Sequence, residues 1–322
     1  MQDIADKLGI SKATVSLVLS GKAGSRVSEK TKARVIETAR ELDYHPNDLA
    51  RSLRTGRTNV IGVLVTDISN EFFGVMAFHI QEEAKKRGYS VFIANTNESD
   101  DEMGILLAMM AGKKVDGVIA VPTQNCAGAF RDLMSKGIHL VQIDRYVEDV
   151  DADYVGTCNY ESTRNAIIEL IASGKKKVGM VSLDLDVNAI NERRAGFRDP
   201  LRERGLYEPE LEQTVPFESL PLIEHALLEI AKHKPDALFF SSRRVFMQAM
   251  EVMATHRNLF SPDTVILCFD KAKSFKNLIG HELWYIEQPI EKMAKKAFGL
   301  LMEDIEGNTI HGRHTFLSTL VK

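Results

Sequence analysis

The stretch ISKATVSLVLSGK, residues 10–22, mixes β-branched residues, serines and two lysines. With Ser11 as its cap, a helix over 12–20 turns Val15, Val18 and Leu19 to one side. Lys12, Ala13, Ser16 and Leu17 are left near its exposed, N-terminal side. One face can fill a core while the other meets something outside it. Toward the N-terminus, residues 1–8 read as a helix with Ile4, Ala5 and Leu8 on one stripe, stopped by Gly9, where a sharp turn needs positive φ. Ala5, Gly9 and Val15 then have helix-turn-helix spacing. The alanine lets two helices cross closely, the glycine makes the turn, and the branched residue locks the second helix onto the first. In the other direction, Ser28 follows the SGKAGSR loop and caps a third helix over 28–42, whose Val35, Ile36, Ala39 and Leu42 close a small core.

The charge of this segment differs from that of the rest. The 322 residues carry a net charge of −4, yet residues 1–59 hold 11 Lys and Arg against 7 Asp and Glu, which leaves 30 against 38 for the remainder. A basic head on an acidic body fits a head that binds DNA. The next segment, YHPNDLARSLRTGRTN (44–59), strengthens that reading. Pro46 breaks the third helix and Asn47 can cap a short one. Leu49, Ala50 and Leu53 then face one way while Arg51, Arg54 and Arg57 supply charge. So short a helix is unstable alone, and would gain order only when two copies meet on DNA.

From residue 59 the period changes to alternating strand and helix. Strands are expected over 60–66, 89–96, 115–122 and 139–144, with helices over 73–87, 102–112 and 128–136 between them. After a crossover near 155–160 the pattern restarts, with helices over 161–173 and 191–203 and strands over 178–183, 237–241 and 264–269. Such alternation means parallel, doubly wound sheets, and two of them make a cleft. The last return, LWYIEQPIEKMAKKAFGLLMEDIEG (283–307), ends a strand at Gln288-Pro289 and opens a helix with Ile290, Met293, Ala297, Leu300 and Leu301 on its apolar face. Ligands of open parallel sheets bind beyond the carboxyl ends of the strands, so the residues just after each strand are the candidates.

Several classes are disfavoured. Apolar runs such as VIGVLV are too short to span a bilayer, and no basic n-region precedes an apolar h-region, so no membrane partner is expected and the chain should be cytoplasmic. Cys126, Cys158 and Cys268 are scattered and lack metal-ligand spacing, which predicts free thiols and no metal. No GxGxxG, GxxxxGK[ST] or GxSxG follows a strand, so neither a nucleotide cofactor nor a nucleophile elbow is indicated. An exported solute-binding protein or a sugar-modifying enzyme would share the body's architecture, but the basic head argues against both.

VSEKTKARVIETARELDYHPNDLARSLRTGRTNVIGVLV, with the helix-turn-helix before it, resembles the bacterial lactose- and galactose-repressor family, nearly end to end. The resemblance implies a helix-turn-helix head over 1–45, a hinge helix and linker over 46–58, and a periplasmic-binding-protein-like α/β domain over 59–322. That domain would consist of two doubly wound subdomains, 59–157 with 288–322 and 158–287. It implies a transcriptional regulator, commonly a repressor, that is a homodimer on a palindromic double-stranded operator, has no cofactor and responds to a small sugar-like effector. Carried over by motif position, Lys12, Ala13 and Leu17 read bases, and Ser11, Thr14, Ser16 and Asn47 contact phosphates. Leu53, with Ala50 and Arg54 beside it, wedges into the minor groove. In the cleft, positions matching Asp144, Arg193 and Asp270 bind the effector's polar groups, and Phe72 and Phe73 wall the pocket. Trp284 is either a platform for a sugar ring or packed core.

Four departures from the family pattern stand out. Leu17 stands where many members have an arginine that can pair with guanine. The loop over 20–26 is longer than in the lactose repressor, and the sequence starts almost at its first helix. Ser242 and Arg243, followed by Arg244, replace a common Asn-Asp. With Arg145, Arg193 and Arg194 near, these suggest an anionic effector such as a sugar phosphate or sugar acid, unless the arginines pair with local acids such as Asp184, Asp186 or Glu192.

Overall fold

In this computed structural model the described residues are 1–19, 23–44, 56–217, 219–256, 258–307 and 310–322. The chain divides into two compact units, 1–58 and 59–322.

The first unit is built on α1 (Gln2–Leu8), α2 (Lys12–Leu19) and α3 (Glu29–Glu41). Gly9 ends α1 at φ 64°, and its N–H and that of Ile10 return to the carbonyls of the last turn. Ser28 caps α3 by accepting the N–H of Thr31 at 3.2 Å. Ile4, Ala5, Val15, Val18, Val35 and Ala39 form the core, with Leu8 and Leu19 packed at its edge. Two expected core residues lie elsewhere: Ile36 is 44% and Leu42 41% exposed, while Thr38 is buried. The helical period explains Ile36, because the buried stripe runs 35, 38, 39 and leaves 36 on its flank, whereas Leu42 is the C-cap beyond the last residue of α3.

The second unit contains two sheets of the same design. The first half places β1 (Val60–Val65), α4 (Glu71–Lys86), β2 (Ser90–Asn95), α5 (Asp100–Gly112), β3 (Gly117–Ala120), α6 (Ala127–Ser135), β4 (His139–Ile143) and β5 (Asp153–Thr157) in succession. The chain then crosses into α7 (Asn159–Ala172), β6 (Val178–Leu183), α8 (Asn188–Arg202), β7 (Glu212–Val215), α9 (Leu220–Lys232), β8 (Ala237–Phe240), α10 (Arg243–Thr255), β9 (Val265–Phe269) and β10 (Leu283–Glu287). It returns through α11 (Ile290–Ile305) to β11 (Arg313–Phe316), then β12 (Thr319–Val321). Strand order is β2-β1-β3-β4-β5-β11 in one sheet and β7-β6-β8-β9-β10-β12 in the other. Among the described residues only β12, against β10, is antiparallel.

The sequence expectation of a bare crossover near 155–160 understates β5, which is a full strand paired with β4. It also leaves β7, α9 and α10 unassigned. β7 is a short, polar edge strand with one buried position, so its alternation is faint. The last residues also differ from a simple return to the first half, because β12 joins the second sheet. The chain therefore passes between the halves three times, at 157–159, 287–290 and 316–319.

Each sheet is covered on both faces, which is why its central strands are apolar throughout. In the first, Ile61, Val63 and Val65 face α4 and α11, while Leu64 faces α5 and α6. In the second, Val181, Leu238 and Phe240 pack with α9 and α10, while Met180, Phe239 and Trp284 pack with α7 and α8. These layers aim the carboxyl ends of both sheets at one cleft.

Candidate functional site

In the head, the candidates on α2 are graded by exposure. Ser11, Lys12 and Ala13 are exposed, Thr14, Ser16 and Leu17 half-buried. Ser11 Oγ accepts the Thr14 N–H at 3.1 Å and lies 2.9 Å from the Thr14 hydroxyl, so it starts the helix. Leu17 packs partly against the head core, so less of it is on offer to a base edge than of Lys12. Asn47, Ala50, Leu53 and Arg54 lie outside the described residues.

In the body, Asp144 follows β4 and Asp270 follows β9, each at the carboxyl end of its strand. Both have positive φ, 69° and 87°. This conformation costs energy for most L-residues and is most tolerable for Asn and Asp. Arg193, on α8, reaches between them. Its Nε donates to Asn159 Oδ1 at 2.8 Å and Nη1 to the Ser241 carbonyl at 2.9 Å. Nη2 lies 4.0 Å from Asp144 Oδ1, and the guanidinium lies 3.6 Å from the Phe269 ring centroid. Arg193 and both acids are buried. Burial lowers the pKa of Arg193 against the pull of Asp270 and Asp144. Burial raises that of Asp144 against the nearby Arg145 and Arg193 charges.

Phe72 and Phe73, packed edge to face at 5.0 Å, open α4 and line the same cavity. Ser242 lines it too, while its hydroxyl caps α10. Gln288 donates from Nε2 to Asp270 Oδ1 at 2.5 Å and accepts the Thr157 hydroxyl at 2.5 Å. All three are buried. A buried acid of the cleft is thereby linked, through Gln288, to two of the three segments that connect the halves.

Trp284 is not part of this site. It sits within β10 rather than beyond its end, and strand alternation turns it into the core under α7 and α8. Its indole N–H donates to Glu282 at 2.6 Å. Arg243 borders the outer mouth only: its guanidinium pairs with Glu71 and donates to the Lys271 carbonyl.

Arg145 and Arg244, expected near the cleft, do line it, and Asp67, Glu98 and Gln288 complete it. Their signal was position, since Asp67, Glu98 and Arg145 follow β1, β2 and β4. The acid partners could not be read from neighbours in sequence. Arg145 makes a two-point pair with Glu98 at 2.6 and 2.7 Å, 47 residues away. Arg244 pairs with Asp67 across 177 residues. Arg194 bonds to Ser182 Oγ and the Leu183 carbonyl. The cavity wall thus sets four carboxylates, Asp67, Glu98, Asp144 and Asp270, against three guanidinium groups, Arg145, Arg193 and Arg244. Such a wall has little charge to spare for an anion.

Residues 1–47 match the family described as bacterial regulatory proteins, lacI family, and residues 61–308 match the periplasmic binding protein domain. The chain belongs to the lacI family of bacterial regulatory proteins. The HTH-type transcriptional regulator EndR of Paenibacillus polymyxa is 26% identical to this regulator over 95% of the chain and 90% of its own length. The ribose operon repressor of Halalkalibacterium halodurans is 28% identical over 95% and 90%. These relatives are transcriptional regulators, not enzymes. Among solved structures, the Lac repressor bound to ONPG in its repressed state superposes with a TM-score of 0.83, covering 99% of this regulator and 97% of that chain at 20% identity. That likeness extends over head and body folds alike.

Proposed function

We propose that this regulator represses carbohydrate-metabolism genes by binding a palindromic operator as a homodimer, under the control of a small polyhydroxylated effector in the cleft of its α/β domain. The observation that carries the reading is the convergence of Asp144, Arg193 and Asp270 at the carboxyl ends of both sheets, in a chain that also carries a lacI-family head. Buried acids and a guanidinium with fixed partners suit recognition of sugar hydroxyls, which both donate and accept. A relative named for the ribose operon and the ONPG-bound Lac repressor support the same class. The compensated charges of the wall favour a neutral effector over a sugar phosphate or sugar acid.

Lys12, Ala13 and Leu17 read bases, Ser11, Thr14 and Ser16 meet phosphates, and residues 46–58 form the hinge that carries Leu53 and Arg54 to the minor groove. Effector binding changes the angle between the two halves of the body and so the separation of the paired hinges. The protein acts in the cytoplasm, where the operator is.

Selection from a randomised DNA library, with the full chain and with Lys12→Ala, tests this. The expected result is a palindromic site for the native chain, with relaxed preference at one position per half-site and a loss of about 1–3 kcal/mol for the variant. No enriched palindrome, with or without added sugars, would overturn it.

A further inference from the structure

Arg244 and Asp67 stand between two chambers of the cleft. The inner chamber, about 40 Å³, is the one walled by Asp144, Arg193 and Asp270. The outer chamber, about 470 Å³, is bordered by Ser69, Met247 and Gln248. Asp67, Asn70 and Arg244 wall both. The inner space has room for roughly three waters, whereas pockets that enclose small organic ligands start at roughly 300 Å³.

Arg244 is anchored on three sides. Nη1 bonds to Asp67 Oδ2 at 2.5 Å, Nε donates to the Phe217 carbonyl at 3.0 Å, and the guanidinium lies 3.9 Å from the Phe217 ring centroid. Asp67 is itself fixed by accepting the Ser69 backbone N–H at 3.1 Å and the Ser69 hydroxyl at 2.5 Å. The two charged side chains are mostly shielded, at 19% and 12% exposure. A neutral ring arriving at this point would have to displace a held cation without offering charge to it or to the abandoned carboxylate.

We infer that Arg244 limits effector length. Paired with Asp67, it admits one polyhydroxylated ring to the inner chamber as the halves part slightly, and it occupies the volume that a second ring would need. Without its side chain the inner and outer chambers become one groove, long enough for two rings. The inference rests on the reading of the cleft as the effector site.

Calorimetric titration of the full-length protein tests it, with D-glucose, D-galactose and D-fructose as single rings and cellobiose, lactose and sucrose as their two-ring counterparts. The native chain is expected to prefer a single ring over its disaccharide by about thirtyfold or more. Arg244→Ala should bring that ratio below about threefold, mainly by tightening the disaccharide. Arg244→Lys, which keeps the charge facing Asp67, should retain most of the preference. Disaccharide binding to the native chain as tight as that of the single ring overturns the gate, as does an unchanged ratio in Arg244→Ala. Binding of no probe to either protein also overturns it. Arg193→Ala separates the two readings. If it abolishes binding while Arg244→Ala leaves the ratio alone, only the gate fails. If binding persists undiminished in Arg193→Ala, the cleft is not the effector site and both fail.

Discussion

His311 is the residue whose protonation links most directly to the stability of the first half. Its Nδ1 lies 3.1 Å from Asp151 and its Nε2 3.7 Å from Asp304, which also holds His139 at 2.9 Å; His314 faces Asp153 at 3.7 Å. Burial opposes the charged imidazolium. The Asp151 hydrogen bond and the charges of Asp304, Asp151 and Asp153 outweigh it, so the pKa rises above 6.5. A raised pKa means that folding takes up a proton. The stabilisation is fully present below about 6.5 and is lost as pH climbs through the higher folded value. Thermal unfolding followed from pH 6 to pH 9 should show the melting point falling by up to a few degrees, and His311→Gln should flatten that slope. A slope equally steep in the variant would remove His311 as its cause. At this scale the sequence was most legible where a place after a strand and the family resemblance agree, as for Asp144 and Asp270, and where the resemblance alone fixes the register, as for Arg193. It was least legible where the partner is distant. Nothing near Arg145 in the chain points to Glu98, and nothing near Arg244 points to Asp67.

Among the elements, α7 and α8 make the closest helix contact with a single residue at its centre. A Cβ on Gly196 would lie 2.6 Å from the Tyr160 carbonyl oxygen, 2.9 Å from Thr163 Cβ and 3.1 Å from the Arg164 nitrogen. Two of these are backbone atoms and cannot rotate away. Gly196→Ala should push the helices apart and cost about 1–3 kcal/mol in urea unfolding. Because Arg193 lies one turn earlier on α8, the same change should weaken effector binding in calorimetry, and an unchanged affinity would show that the shift is absorbed elsewhere. The alternating elements could be read ahead because a strand covered on both faces is a continuous apolar run, as in β1, β6 and β9. β7 escaped because an edge strand buries little, and four residues with one buried position leave no period to detect. Ile36 and Leu42 show the converse: apolar type was taken for burial, whereas Ile36 lies beside the buried stripe and Leu42 caps the helix past its last turn.

For the molecule as a whole, the two units have separate cores. Among the described residues, the apolar cluster of the head draws on residues 1–44, and the clusters of the body draw on residues 60 onward. A fragment comprising residues 59–322 should therefore fold alone, bind effector within about threefold of the full chain, and lose operator binding. Parallel calorimetry and DNA titration would check this; loss of effector binding in a folded fragment would mean that the head contributes to the cleft. The two sheets share one strand order, and Asp144 and Asp270 take the same place in each: both follow the fourth strand, donate their N–H to the fifth, and turn with positive φ. Under the proposed function, this repeated corner restricts how effector preference can change. Asparagine and glycine can follow aspartate there without remaking the turn, while longer or branched residues cannot. Descendants of this chain should therefore retune to new metabolites by switching charge on and off at two mirrored corners, and should vary shape elsewhere along the cleft.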